Sequence, residues 1–446
     1  MLNHHRRKKD YTRFIIYILI VFVVYQLIKL VYRGFSHTAE ETSLEPSTTK
    51  PIYKQQTILE FQPDNQTYSD FPWYKNKHTR PQFRPHANLT TTHLSIKERE
   101  IILQKAVLQA KKRAQKKFLP IEYTGGIRGT QFTTAEEAQT FRSKVDCWTR
   151  GQWIRDDDDE PSFQLKHIQD PIYSSCDSKF YKTQDSNEKR EAVKYSWQPS
   201  GNCPLKSTVV AKDWCKALRG RNMLLVGDLV HYQYHELLLD AFRDEPTVCF
   251  GELNCKDHTI CKNKDTRLRY IRNDILSTIR KFQNRDQGHP LANIIEWPFV
   301  TSNILASYPI LILSRTALIG DDDLLFTRRL IHTMRVIRET SPDALVIYKS
   351  SFIGHPFCDD ATQPIDPLSD EQLKRLPYGW SETKRRNAIA KAVVEAAGGL
   401  FIDLAAMVDT RPDGHVGGGD CSRYCIPGPL DATAQVLYHV FLALEQ

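Results

Sequence analysis

Beyond residue 220 the apolar positions fall into four short, dense runs: 222–226 (NMLLV), 309–313 (PILIL), 344–348 (ALVIY) and 400–402 (LFI). None alternates with polar residues, which is the pattern of strands covered on both faces. Each is followed, directly or after a loop, by a stretch with helical spacing, over 232–242, about 324–339, 381–397 and roughly 432–444. Gly398-Gly399 stops the third of these helices just ahead of the fourth strand. Such alternation predicts an α/β head on a parallel sheet with helices on both faces. Ligands of such sheets sit beyond the carboxyl ends of the strands. Segments 227–229, 314–318 and 349–355, with Asp403, are therefore expected around one crevice.

The N-terminal part has a different pattern. The apolar run 14–28 continues past Lys29 to Tyr32, about the length of a short spanning helix. Bulky residues fill it and no small-x-small cleavage site follows, so it reads as a retained anchor instead of a cleaved signal peptide. His4, His5, Arg6, Arg7, Lys8, Lys9 and Arg13 crowd the near side, whereas Glu40, Glu41 and Glu45 follow the run. By the positive-inside rule this predicts a cytoplasmic tail over 1–13, a transmembrane signal anchor over 14–32 and a lumenal remainder. A span this short suits an ER or Golgi membrane, giving a single-pass type II protein. Residues 33–132 read as a lumenal stem, rich in Thr, Ser, Pro, Gln and Asn up to about 95. Asn65 and Asn88 begin glycosylation sequons on the same side. Residues 95–118 are helix formers, basic, with Ile101, Leu103, Val107 and Leu108 grouped on one side. They read as a solvated stem helix, although basic helices of this kind also touch anionic lipid.

Composition adds bounds. With 41% hydrophobic and 26% charged residues, the chain of 446 residues has the make-up of a folded protein. Its net charge of +8 is concentrated in the tail and in Lys111, Lys112, Arg113, Lys116 and Lys117, outside the expected head at 133–446. Nucleic acid is therefore not expected as a partner. All ten cysteines lie beyond the apolar run, between Cys147 and Cys425. An even number in an oxidising compartment reads as disulfides. No Cys-x-x-Cys pair or finger-spaced Cys/His quartet suggests a metal, and no cofactor is expected.

The sharpest motif is Val226-Gly227-Asp228-Leu229, set between a predicted strand and a predicted helix. It resembles the Gly-Asp-Ser turn of SGNH-type esterases, and more specifically the PC-esterase or trichome-birefringence-like family, which includes polysaccharide O-acetyltransferases. The resemblance continues through Cys147-Trp148…Gly151-Gln152-Trp153, then Arg190-Glu191-Ala192-Val193-Lys194-Tyr195…Trp197-Gln198-Pro199…Cys203-Pro204-Leu205, and Leu218…Gly220-Arg221. Near the end, Arg411-Pro412-Asp413-Gly414-His415…Asp420-Cys421-Ser422-Arg423-Tyr424-Cys425-Ile426-Pro427-Gly428…Asp431 is similar to the family's Asp-Cys-Ser-His-Trp-Cys-Leu-Pro-Gly signature. Similarity runs in order over about 145–446. It implies an SGNH-like, disulfide-tied head, with Cys147 bridged to Cys203 and Cys358 to Cys421. Pairings among Cys176, Cys215, Cys249, Cys255 and Cys261 stay open.

The family's chemistry needs a serine nucleophile, a histidine base, an aspartate behind it and an oxyanion donor. Here Leu229 stands at the serine position, Arg423 at the histidine position, and Ser314-Arg315-Thr316 where relatives resemble Asn-x-Gly. Asp420 alone is retained. Leucine has no attacking oxygen, and arginine stays protonated at any working pH. Gly227 and Asp228 also have a structural reading, as a tight turn and a helix N-cap. His231, His235, His355 and His415 are available bases, and Ser314 and Ser422 available hydroxyls, for a relocated nucleophile. The expectation is a catalytically degenerate head that binds cell-surface or cell-wall glycan, with Trp148, Trp153, Trp297 and Arg423 offering stacking and charge, or that partners an active relative. An active acyltransferase with a relocated nucleophile is the first alternative. The second is a metal-dependent glycosyltransferase using Asp321-Asp322-Asp323, although those acids also read as a helix start, and 156–160 as a solvated loop.

Overall fold

The computed structural model describes residues 71–73, 93–118, 125–156, 176, 190–243, 257–262, 266–285, 294–317, 322–377, 379–418 and 420–445. The basic tail, the apolar run 14–32, Asn65, Asn88 and most of the stem lie outside these residues. Among the described residues no helix is long and apolar enough to cross a membrane.

Helix α1 (Ile96–Phe118) and α2 (Ala135–Trp148) precede strands β1 (Gly151–Arg155) and β2 (Tyr195–Pro199), which pair as an antiparallel hairpin. Then come α3 (Ala211–Leu218), β3 (Met223–Gly227), α4 (Leu229–Arg243), β4 (Asp257–Thr259), β5 (Arg267–Arg272), β6 (Gln283–Arg285) and β7 (Ile294–Glu296). The C-terminal half runs α5 (Ser302–Ser307), β8 (Ile310–Leu313), α6 (Asp323–Thr340), β9 (Leu345–Lys349), α7 (Asp370–Lys374), α8 (Thr383–Ala396) and β10 (Leu400–Ile402). It ends with α9 (Ala405–Val408), the hairpin β11 (His415–Gly417) and β12 (Asp420–Tyr424), and α10 (Leu430–Leu444).

The central sheet has the order β10-β9-β8-β3-β5-β4, parallel except for the antiparallel edge strand β4. Side chains leave its strands alternately to two faces. Leu225, Tyr270, Ile312 and Ile347 enter one core with α4 and α10, while Val226, Ile271, Leu313 and Val346 enter the other with α6 and α8. Burying both faces is why the runs in β3, β8 and β9 are continuous and not alternating. After Ala396, Gly398 adopts φ 72° and the amide of Gly399 returns to the Val394 carbonyl at 2.8 Å, which ends α8 and turns the chain into β10. Numbered along the chain, the parallel strands have the order 2-1-3-4-5, so the winding reverses between β3 and β8. A crevice is expected at such a switch point, which is where Leu229 and Ser314 follow their strands.

Two expectations change here. Strands β5 and β4 extend the sheet beyond β3. The RLRYIR sequence of β5 alternates arginines with buried Leu268 and Tyr270, because this strand lies next to the sheet edge. The helix expected as a solvated part of the stem is instead packed on α8: Ala110, Ala114 and Phe118 are buried, and Arg99 Nη2 donates to the Ser381 carbonyl at 2.6 Å. Its buried line is made of alanines, while Ile101 and Leu108, expected on the apolar side, are more than half exposed. The folded head therefore begins before residue 133.

Candidate functional site

The turn after β3 is built by capping. Asp228 Oδ1 accepts the backbone N–H of His231 at 3.1 Å, and the Asp228 carbonyl accepts Tyr232 N–H at 3.0 Å and the Tyr270 hydroxyl at 2.8 Å. A Cβ at Gly227 would lie 2.7 Å from His231 Cβ, so glycine is required for the helix to start this close to the strand. Leu229 is the first residue of α4. One strand across, Ser314 N–H donates to the Val226 carbonyl at 3.0 Å, continuing the β3–β8 ladder into the site. The next residues turn toward β5: Thr316 N–H donates to the Asp274 carbonyl at 2.9 Å, and the Arg315 guanidinium lies 4.6 Å from the centre of the Phe326 ring.

Strand β12 brings the last motif alongside. Gln233, one turn into α4 from Leu229, accepts Tyr424 N–H at 2.9 Å and donates its amide to the Tyr424 carbonyl. Within β12, Asp420 is fully engaged by its neighbours. Its Oδ1 accepts the N–H groups of Arg423 at 3.1 Å and Ser422 at 3.3 Å, and its Oδ2 receives Arg423 Nε. The Asp420 carboxylate is thus paired with the Arg423 guanidinium. Ser422 Oγ is buried with no hydrogen-bond partner.

The candidate bases are held elsewhere. His231 Nε2 donates to the Ile312 carbonyl at 3.0 Å, and burial, with Lys349 close by, holds its pKa well below the usual value. His235 is buried, which lowers its pKa to about 3. His355 and His415 face each other, Nδ1 to Nε2, at 2.7 Å; the outer nitrogens meet the carbonyls of Asp409 at 2.9 Å and Arg423 at 3.1 Å. His415 also stacks on Tyr424, and Trp73 meets His355 edge-on. Among the described residues no serine hydroxyl is hydrogen-bonded to a histidine.

Buried charges follow strands β5, β9 and β10. Lys349, at the end of β9, is buried with its Nζ 3.7 Å from the Phe352 ring centre. Burial lowers its pKa to about 8, opposed by the carboxylates of Asp228 and Asp409. Asp409 is pushed well up by burial and by Asp403, although Ile353 N–H donates to it at 3.0 Å and Lys349 pulls the other way. Asp403 and Asp409 both line a cavity of about 500 Å³, with Lys384, Lys391 and Phe401. Beside β3, Arg272 Nε donates to Asp274 Oδ1 at 3.1 Å, and burial nonetheless raises Asp274 to about 7. Asp274 follows β5, whose alternating arginines mask a strand of the central sheet.

The aromatic candidates separate. Trp148 is only 4% exposed and belongs to the core, which removes it as a stacking surface. Trp153 is half-buried against Trp197 and Arg411, and its indole N–H donates to the Met407 carbonyl at 2.8 Å. Trp297 packs on Phe282 with ring centres 4.3 Å apart, and its backbone N–H donates to the Arg272 carbonyl at 2.9 Å, at the carboxyl end of β5. Phe282 is 47% exposed, so this pair presents aromatic surface near the carboxyl end of β5.

The acidic run before α6 is a helix start. Asp322 caps α6 by accepting Leu325 N–H at 2.7 Å, and Asp323 receives Arg385 Nε at 2.9–3.0 Å; Asp321 lies outside the described residues. Among the described residues no group of three or more His, Cys, Asp or Glu is placed to hold a metal. Asp156 accepts the Ser196 hydroxyl, and the rest of 156–160 is not described. Cys147 is bonded to Cys203 and Cys358 to Cys421, with Cα atoms 6.2 and 5.6 Å apart. Of the open pairings, Cys176 joins Cys425 and Cys215 joins Cys261; Cys249 and Cys255 lie outside the described residues.

Against known proteins, no family model and no curated sequence matches this chain. Function has to be read from the residues themselves.

Proposed function

We propose that this chain is a membrane-anchored, lumenal relative of the polysaccharide O-acetyltransferases and esterases whose crevice binds glycan without turning over an acyl ester. The pairing of Arg423 with Asp420 carries this reading. Acyl transfer needs the aspartate to orient a neutral base that takes the nucleophile's proton. A guanidinium in that place cannot accept a proton, and it removes the charge that would steady an imidazolium. Leu229 supplies no nucleophile at the turn, and burial of Ser422 Oγ keeps that hydroxyl from substrate.

What the crevice keeps suits carbohydrate. The exposed edge of the Phe282–Trp297 pair offers a stacking face for a sugar ring, next to Arg272 and Asp274. Arg423 remains about one-third exposed and adds a donor to hydroxyl or carboxylate groups. Titration calorimetry of the purified chain against neutral and acidic polysaccharides tests this. Binding is expected to weaken about tenfold in Trp297→Ala, the scale of one aromatic contact. Undetectable binding to every polysaccharide, or turnover of acetyl esters by the unaltered chain, would overturn the proposal. A serine-reactive probe that labels Ser314 or Ser422 would point to a relocated nucleophile.

A further inference from the structure

We infer that the outward face of α1 seats on an anionic lipid bilayer. The helix is long, and its inner side is committed to the head through Ala110, Ala114 and Phe118. On the outer side, Lys97, Ile101, Lys105, Leu108, Lys112 and Lys116 follow one another at spacings of three or four residues, which sets them in one line along the helix. Ile101 and Leu108 in that line are 55% and 54% exposed. Among the described residues none of the four lysines in the line takes part in an ion pair, and neither do the flanking Arg113 and Lys117, whereas Lys111 faces Glu395. Arg99, on the inner side, is paired with Glu382 at 3.5 Å. The two acids near this face are already engaged: Glu98 accepts Ser95 Oγ at 2.7 Å, and Glu100 accepts Gln104 Nε2 at 2.9 Å.

The interleaving selects the partner. A soluble polyanion would neutralise the lysines but would leave two branched aliphatic side chains in water. A protein interface needs a larger dry centre than two aliphatic groups provide. An anionic bilayer satisfies both parts, because the lysines meet the headgroups while Ile101 and Leu108 enter the acyl boundary. This contact does not require residues 14–32 to span a membrane; where they do, with the head on the lumenal side, it needs anionic lipid in the leaflet that faces the head.

The test uses the full chain with Leu108→Cys carrying a polarity-sensitive fluorophore. The described residues contain no free cysteine, and the parent chain treated with the same dye gives the background. Vesicles of phosphatidylcholine, alone or with one-third phosphatidylserine, are then added. A blue shift is expected with the anionic vesicles only, reversed by high salt. Lys105→Glu, Lys112→Glu and Lys116→Glu together should weaken partitioning about 100-fold, at about fivefold per cation, while the three Lys→Arg changes should preserve it. The Lys→Gln set gives the same reading should the glutamate variant fold poorly. Equal emission with both vesicle types, or an equal shift with a soluble acidic polysaccharide and no lipid, would overturn the inference; the second result would make the partner a polyanion. Flotation of the chain with neutral vesicles reports separately on residues 14–32, so failure of the anchor and failure of this contact are distinguishable.

Discussion

A carboxylate in an acyl-transfer site is useful because it holds a histidine in one orientation and stabilises the cation that forms on it. Asp420 gives its two oxygens to Arg423 and to backbone N–H groups within the same strand. Replacing one residue does not rebuild a unit of three, since triad members act together. Leu229→Ser alone is therefore expected to leave acetyl-ester hydrolysis at background. Leu229→Ser combined with Ser314→Asn and Arg423→His is expected to recover a trace, measured as acetate release. Substantial activity in the single variant would show that another base already serves the turn. His235 gives a second prediction at this scale. Burial lowers its folded pKa to about 3, from the ordinary 6.5 it regains on unfolding. The unfolded chain thus binds the extra proton first. Its contribution to stability is complete above pH 6.5 and is lost as pH falls toward 3. The urea midpoint should drop between pH 7 and 4, and less steeply in His235→Phe; parallel curves for the two proteins would exclude His235 as a source of the slope.

At the scale of elements, α1 is the piece whose role changes most. Its alanine face lies on α8, so the helix covers sheet-facing residues that would otherwise meet water. Phe118→Ala is expected to cost about 3–5 kcal/mol in denaturant unfolding, as for other buried aromatics. Lys112→Ala, on the exposed side, should change stability little. A chain beginning at residue 93 should unfold cooperatively, whereas one beginning at 125 should aggregate or melt without a sharp transition. The strands β3, β8, β9 and β10 were legible because two buried faces leave an unbroken apolar run, and α6 and α8 because one mainly buried face leaves a 3.6-residue period. The same logic explains the misses. β5 has arginines between its core residues, and α1 packs through alanine, whose small side chain lets helices approach without marking a hydrophobic stripe. The turn at Gly227-Asp228 was legible as a cap. Lys349 at the end of β9 and Asp228 and Asp409 in distant loops come close only in the fold, and no local pattern announces a coupling set by tertiary packing.

At the scale of the whole molecule, the topological reading rests on signals that do not depend on one another. Basic residues precede the apolar run 14–32 and acidic residues follow it; two sequons, Asn65 and Asn88, and all ten cysteines lie beyond it. The disulfides of the head, including Cys147–Cys203 and Cys358–Cys421, agree with an oxidising compartment. If the run is a type II anchor, the sequons face the lumen and receive glycan, while the first thirteen residues stay in the cytosol. In sealed microsomes, protease is expected to remove only an N-terminal epitope and to leave the head intact until detergent is added. Endoglycosidase should increase gel mobility, by two steps in the parent chain, one in Asn65→Gln or Asn88→Gln, and none in the double variant. A protected N-terminus with a digested head would reverse the orientation. Release of the chain by alkaline carbonate, with glycans still attached, would mean that the run is cleaved as a signal peptide, and that any hold on the membrane falls to the basic face of α1.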